Sequence, residues 1–344
     1  MHSDRNQQNL KSAMMTMNGE GAHDCDDFMH TFRIDLESPS SDDDQPTPQH
    51  LRDQFRRDGF IVFPHVFETS TVDAMNGRLE EILRGRYDRG QRPDKQPKLI
   101  KGILKEEGGT VGSLGFSGNL QNVKVLQVIN VHKCDSLFRE IEISPKLGQV
   151  VAELAGWKQG ARLAQDQIWA KPPGAAPLVF HRDSPYFMFD PPHVVTVWVA
   201  LDDMDEELGP LEYVRGSHQW GDGRFGTANQ FFQANGGKAL LQSAAERAGV
   251  TDIDIVSMAG LKAGGLSIHD GLTWHGSGKN TSKTKPRRGL GLHFVPAEIE
   301  FTKEASKSRL WRSYVENIED TTDVPISYED FPITWQPSST TDVC

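Results

Sequence analysis

Cysteine is scarce in this 344-residue chain: Cys25, Cys134 and Cys344 are the only three, widely separated and without a CxxC pair. That spacing argues against a disulfide framework or a thiolate zinc site and fits a reducing compartment. Long apolar runs are missing too. Stretches such as Val194–Leu201 are strand-length, far short of the ~20 residues a bilayer crossing needs. No basic-then-apolar leader opens the chain and no Ser-Lys-Leu signal closes it. The expected location is therefore intracellular and cytoplasmic, without export or that route of peroxisomal import. Cys344, as the last residue, does not stand where a prenylated cysteine must. Positive charge is also in deficit: 37 Lys and Arg against 48 Asp and Glu give a net charge of −11. Such a balance disfavours nucleic acid or anionic lipid as a partner.

The composition is otherwise that of a folded globular chain, with 37% hydrophobic and 25% charged residues and no internal repeat. Residues 1–47 are rich in Asp, Ser, Gln, Asn and Met, and are expected to form a disordered tail. Order begins near Pro48 with a short amphipathic helix from Leu51 to Gly59, then a strand at Phe60–Phe63. A second helix, capped by Ser70 or Thr71, runs to about Arg84. The stretch Leu137–Leu154 is helical and broken in two at Pro145. From Arg162 the pattern changes to short strands between Gly, Pro and Asp turns. These are Leu163–Ala170, Leu178–Asp183, Val194–Leu201, Leu211–Val214, Gly265–His269, Leu272–His275 and Gly289–Val295. Many short strands with flanking helices indicate a mainly β fold, a sandwich or barrel. Residues 223–250 interrupt the series with a helical excursion of lid length. Residues 301–344 carry Trp311, Tyr314, Phe331 and Trp335 and are expected to pack back on a domain spanning 48–300.

The chemistry begins at Phe180-His181-Arg182-Asp183. On a strand, residues i and i+2 share a face with Cα atoms ~6–7 Å apart, so His181 and Asp183 can bind one ion while Arg182 points away. An imidazole and a carboxylate are two-thirds of the facial triad that leaves metal positions open for oxygen chemistry. Candidates for the third ligand are His193, His218, His269, His275 and His293, and spacing does not choose between His269 and His275. Tyr186, Phe187 and Phe189 follow the first two ligands closely and suit the apolar wall of a substrate pocket. Further on, alternation along Arg287-Arg288-Gly-Leu-Gly-Leu-His293 puts Arg287, Gly289, Gly291 and His293 on one face. Two glycines leave room there for a small anion to reach the planar guanidinium.

The order His181-x-Asp183, His275-Gly-Ser-x-x-Asn280 and Arg287 resembles the phytanoyl-CoA dioxygenase family of iron(II)/2-oxoglutarate oxygenases. Supporting matches are Lys171-Pro-Pro, Trp198, Gly209-Pro-Leu and Arg215-Gly-Ser-His218, so the similarity runs from about Leu51 to Val295. The resemblance implies a double-stranded β-helix (jelly-roll, cupin-like) core. It implies iron(II) on His181, Asp183 and His275, with 2-oxoglutarate and dioxygen as cosubstrates. Arg287 is similar to the arginine that grips the distal carboxylate of 2-oxoglutarate, with Arg288 as its rival. Gln167, Trp198, Ser277 and Lys124 stand at or near positions where the family makes cosubstrate contacts. The reaction implied is hydroxylation of a C–H bond in a small organic or acyl substrate, with release of succinate and carbon dioxide. A zinc-dependent hydrolase and a non-catalytic jelly-roll binding module are the alternatives. An acyl-CoA would want a basic entrance, against which stand the acidic composition and the run Asp202-Asp-Met-Asp-Glu-Glu207.

Overall fold

The computed structural model of the chain describes residues 48–95, 125–221, 238–316 and 324–338. The expected N-terminal tail, Lys124, residues 223–237 of the excursion and residues 339–344 lie outside them. Helix α1 (Pro48–Asp58) stops at Gly59, whose φ of 81° favours glycine. A side chain there would also collide with His218 and Thr273. Strand β1 (Phe60–Phe63) follows, then α2 (Thr69–Leu83), which buries Val72, Met75, Leu79, Ile82 and Leu83 at helical spacing. The N-cap of α2 is Glu68, not Ser70 or Thr71, because the Thr71 and Val72 N–H groups already donate to the Glu68 carbonyl. Pro145 divides α3 (Ser136–Glu142) from α4 (Pro145–Ala155), standing in the first turn of α4, where its missing N–H costs no hydrogen bond.

The remaining strands are β2 (Leu126–Ile129), β3 (Ala161–Lys171), β4 (Leu178–His181), β5 (Phe189–Asp190), β6 (Val195–Ala200) and β7 (Leu211–Val214). Helix α5 (Ala239–Arg247) precedes β8 (Ile255–Ser257), β9 (Leu266–Asp270), β10 (His275–Ser277), β11 (Arg287–Pro296), β12 (Glu300–Phe301) and β13 (Ile333–Trp335). One sheet runs β1-β9-β6-β11-β3-β13 with β2 also on β3, and a second runs β4-β10-β7-β8. All their pairings are antiparallel. From β3 onward, setting aside the short β5 and β8, successive strands alternate between the sheets: β3, β6, β9 and β11 in the first, β4, β7 and β10 in the second. That alternation is the winding of a double-stranded β-helix.

Period-two patterning then assigns the two faces of the large sheet. Val197, Val199, Ile268, Leu290 and Leu292 pack outward into the main core with α2, α3 and α4. Their neighbours Thr196, Trp198, His269, Arg287, Gly291 and His293 turn into the roll, where they line one cavity. The polar interior is thus a consequence of register, and it is where the site forms.

Two departures from the expected strand bounds shape the site. Strand β4 stops at His181, and Asp183 has helical backbone angles (φ −80°, ψ −47°) at the start of a 3-10 turn, Ser184–Tyr186. Residues 272–274 are a turn rather than a strand, because the Asp270 carboxylate accepts the Leu272 N–H (2.8 Å) and Thr273 N donates to the Asp270 carbonyl. After β11 the chain folds back, burying Trp311 and Phe331 with Phe189 and Phe301 in a second core. No helix among the described residues is long and apolar enough to cross a membrane.

Candidate metal centre and cosubstrate pocket

His181 ends β4 and His275 begins β10, and the two are register partners across the small sheet, with ring centroids 4.2 Å apart. The turn after β4 carries Asp183 back toward both rings. Its Oδ1 lies 3.6 Å from His181 Nε2 and 3.6 Å from His275 Nε2. Each imidazole is oriented by its other nitrogen. His181 Nδ1 donates to the Val179 carbonyl (2.9 Å) and His275 Nδ1 to the Thr273 carbonyl (3.0 Å). A carbonyl only accepts, so both Nε2 atoms keep their lone pairs for the space they share with Asp183 Oδ1. Among the described residues, His181, Asp183 and His275 present ligand atoms all within 4.8 Å of one another.

The second oxygen of Asp183 has different partners. Oδ2 accepts from Thr196 Oγ1 (2.7 Å) and from His269 Nε2 (3.1 Å). His269 thus spends its Nε2–H on the carboxylate, and its Nδ1 lies 3.2 Å from the Tyr213 hydroxyl. Sequence spacing left His269 and His275 as equals; hydrogen bonding separates them. Of the other candidates, His193 is exposed, His218 bonds the Arg56 carbonyl, and His293 donates Nδ1 to the Gln165 carbonyl. Arg182 is turned away, its guanidinium over Trp274 and donating to the Gly221 carbonyl.

Burial and the neighbouring His275 push His181 down to about 3, and the same causes push His269 down to about 4. Burial works against ionisation of Asp183, but His275, His269 and His293 outweigh it and hold the carboxyl well below its usual range. Two imidazole nitrogens and an ionised carboxylate are the donor set a hard-to-borderline divalent cation takes.

Beside this set, Arg287 is 2% exposed, with its guanidinium 5.6 Å from the Trp198 ring and Nη2 donating to Ser277 Oγ (3.1 Å). Its Nε is buried without a partner. Arg288, one residue on and so on the opposite face, is held by Asp202 through its backbone N (2.7 Å) and its Nε (3.0 Å). Gly289 leaves no room for an anion, contrary to expectation, because the Trp198 indole fills the space a Cβ would need. Gly291 does line the cavity. Trp198, Ser277, Arg287 and Gln167 are therefore gathered at one site, with the Gln167 carbonyl oxygen of the side chain accepting from Gln127 (2.7 Å).

These residues enclose a cavity of about 330 Å³. Tyr186 and Phe187 form part of its wall. Phe189 does not: the 3-10 turn breaks the alternation, and its ring packs against Trp311 (4.9 Å) and Phe301 (5.0 Å) in the second core. The acidic run also lies elsewhere, since Asp202, Asp203 and Asp205 pair with Arg288, Lys262 and Lys285. The cavity lining is basic although the chain is acidic, with Lys95, Lys171, Arg287 and Arg309 against Asp183. Lys171 was not among the expected site residues; Lys171-Pro-Pro figured as a supporting match to the family. The available signal was alternation from Gln165 and Gln167 along β3.

A cation held from one side only, with an arginine set apart to receive an anion, is how iron(II) oxygenases that consume 2-oxoglutarate are organised. The double-stranded β-helix supplies the frame for both. Residues 55–289 match the family model described as phytanoyl-CoA dioxygenase (PhyH), and the chain belongs to that family of non-haem iron, 2-oxoglutarate-dependent dioxygenases. It is 25% identical over 288 residues to the phytanoyl-CoA dioxygenase domain-containing protein 1 homolog of Caenorhabditis elegans, covering 78% of this chain and 96% of that protein. It is 26% identical over 271 residues to a phytanoyl-CoA dioxygenase of Arabidopsis thaliana, covering 73% and 89%. Among solved structures, the non-heme alpha ketoglutarate dependent epimerase SnoN from nogalamycin biosynthesis matches with a TM-score of 0.59 at 20% identity, covering 84% of this chain and 98% of that one. At that identity the match speaks for the fold.

Proposed function

We propose that His181, Asp183 and His275 bind iron(II), that Arg287 with Ser277 and Trp198 receives the distal carboxylate of 2-oxoglutarate, and that the enzyme hydroxylates a C–H bond of a small organic or acyl substrate. The observation that carries this is the division of labour at Asp183: Oδ1 faces two imidazole lone pairs, while Oδ2 is tied to Thr196 and His269. When bound, iron with 2-oxoglutarate and dioxygen supplies an oxidant able to take hydrogen from a C–H bond, with succinate and carbon dioxide as coproducts.

The residues of the chain position and shield. Carbonyls of Val179 and Thr273 aim the imidazoles, and Thr196 and His269 keep the carboxylate from rotating. Trp198 covers one side of the Arg287 guanidinium and keeps water from it. Phe187, 5.1 Å from the His293 ring, and Tyr186 give the substrate an apolar wall. Gln127, Gln165 and Gln167 form a chain of amides in the same cavity, suited to a polar group on that substrate. With Asp202, Asp203 and Asp205 paired with Arg288, Lys262 and Lys285, and the cavity itself lined by basic side chains, net charge does not argue against an anionic substrate. A zinc hydrolase would have no use for Arg287.

The test is succinate release from 2-oxoglutarate by enzyme purified without oxygen and loaded with iron(II), followed by a screen of small acids and acyl compounds for a product heavier by one oxygen atom. Turnover is expected in the wild type and absent in His181→Ala and Asp183→Ala. Full turnover in either variant sinks the assignment.

A further inference from the structure

Two buried basic side chains meet on one hydroxyl. Lys171 Nζ lies 3.2 Å from Ser277 Oγ, and Arg287 Nη2 donates to the same atom at 3.1 Å. Lys171 also donates to the Gly278 carbonyl. It is 1% exposed and, like Arg287, lines the cavity that holds the candidate metal centre. No carboxylate among the described residues is hydrogen-bonded to either side chain. A buried guanidinium without a counter-ion is costly, and a site that sets a lysine beside it is built for an anion that arrives from outside.

We infer that Lys171 is a second receptor for the distal carboxylate of 2-oxoglutarate, acting with Arg287, and that the cosubstrate enters this pocket together with a proton. The inference rests on the reading of the pocket given above and adds to it a residue and a linkage. The groups that bear on Lys171 come from three strands. Arg287 on β11 repels its positive form, Glu212 on β7 favours it from a distance, and Ser277 and Gly278 of β10 and its following turn are neutral acceptors. Burial first, then Arg287, pushes the ammonium down to about 6, so the empty pocket holds one fixed charge and one amine. A carboxylate between them favours the ammonium. Loading therefore draws a proton from solvent onto Nζ, and affinity falls as pH rises from the empty-site value toward the loaded one.

Lysine is suited to this and arginine is not, because only the amine changes charge near neutrality. Such a pocket discriminates by charge count. A ligand with the same oxo-acid head and no distal carboxylate gains nothing from Lys171.

The experiment is calorimetric binding of 2-oxoglutarate and of 2-oxovalerate to the manganese-loaded enzyme without oxygen, in buffers of different ionisation heat. At pH of about 7.5 the wild type is expected to take up a large fraction of one proton with 2-oxoglutarate and much less with 2-oxovalerate. Lys171→Met is expected to bind 2-oxoglutarate at least about tenfold more weakly, without that uptake, and to bind 2-oxovalerate almost unchanged. Lys171→Arg, which keeps the charge, is expected to bind without proton uptake. Equal loss for both ligands in Lys171→Met, unchanged affinity, or uptake persisting in Lys171→Arg overturns the inference. Failure of the wild type to bind 2-oxoglutarate removes the function proposed above, and this inference with it.

Discussion

His269 donates its Nε2–H to Asp183 Oδ2 across 3.1 Å while its Nδ1 faces the Tyr213 hydroxyl at 3.2 Å. This histidine resembles a metal ligand in sequence and supports one in space. Replacing it should therefore weaken the centre without destroying it. His269→Ala is expected to lower iron(II) affinity by roughly 10–100-fold, with activity recovered at high iron, whereas His275→Ala should not recover. Anaerobic iron titration of both variants distinguishes support from ligation, and equal behaviour would refute the distinction.

The neighbouring arginines should separate equally sharply. Arg287 faces the cavity and Arg288 is committed to Asp202. Arg287→Ala is expected to raise the KM for 2-oxoglutarate by about 100-fold or more, the loss of a buried charge-assisted pair. Arg288→Ala should leave that constant within about threefold, as loss of a part-exposed ion pair does. A reversed ranking would move the anchor.

Phe187 and Phe189 are two residues apart but have different surroundings. Phe189→Ala removes a ring from the second core and should cost about 3–5 kcal/mol of stability. Phe187→Ala opens the cavity wall and is expected to act mainly on substrate KM, with a smaller fall in Tm. Thermal melts and substrate kinetics on the two variants check this.

Glu142 gives a stability prediction with a sign. It is fully buried, 4.0 Å from His132 Nδ1 through its Oε2, and burial first, then Asp166, raises its pKa well above the ordinary value. The folded state thus holds a proton that the unfolded state releases above its own lower pKa. Stability is largest below the unfolded value and falls as pH rises toward the folded one. Glu142→Gln cannot ionise, so it should be more stable than the wild type near neutrality and lose the advantage in acid. Denaturant midpoints across that range give the measurement, and a constant difference would exclude the linkage.

The strands were legible as short, largely buried runs between turn signals. Leu211–Val214 has the expected bounds, and Val195–Ala200 and Arg287–Pro296 differ from theirs by a few terminal residues. Alternation also assigned Arg287 and Arg288 to opposite faces. What pattern alone missed depends on contacts distant in sequence. Asp183 reaches the histidines from a turn, through the Ser184 N–H to Gly271 carbonyl bond, not from a strand face. Phe189 is core because Trp311 and Phe331, far along the chain, close over it. The choice of His275 over His269 is a matter of which nitrogen carries the proton, and no spacing encodes that.

The register pair His181–His275 sits at the meeting of β4 and β10, whose residues are distant in the chain but adjacent in the small sheet. An ion shared by the two is a rivet through that sheet as well as a reagent. It binds only when both strands are docked, so each increment of metal affinity is also an increment of local order. Removing the metal should loosen β4 and β10 first, visible as faster amide exchange there while the helices α2 and α4 stay protected. On this reading, loss of iron and loss of catalytic geometry would be one event.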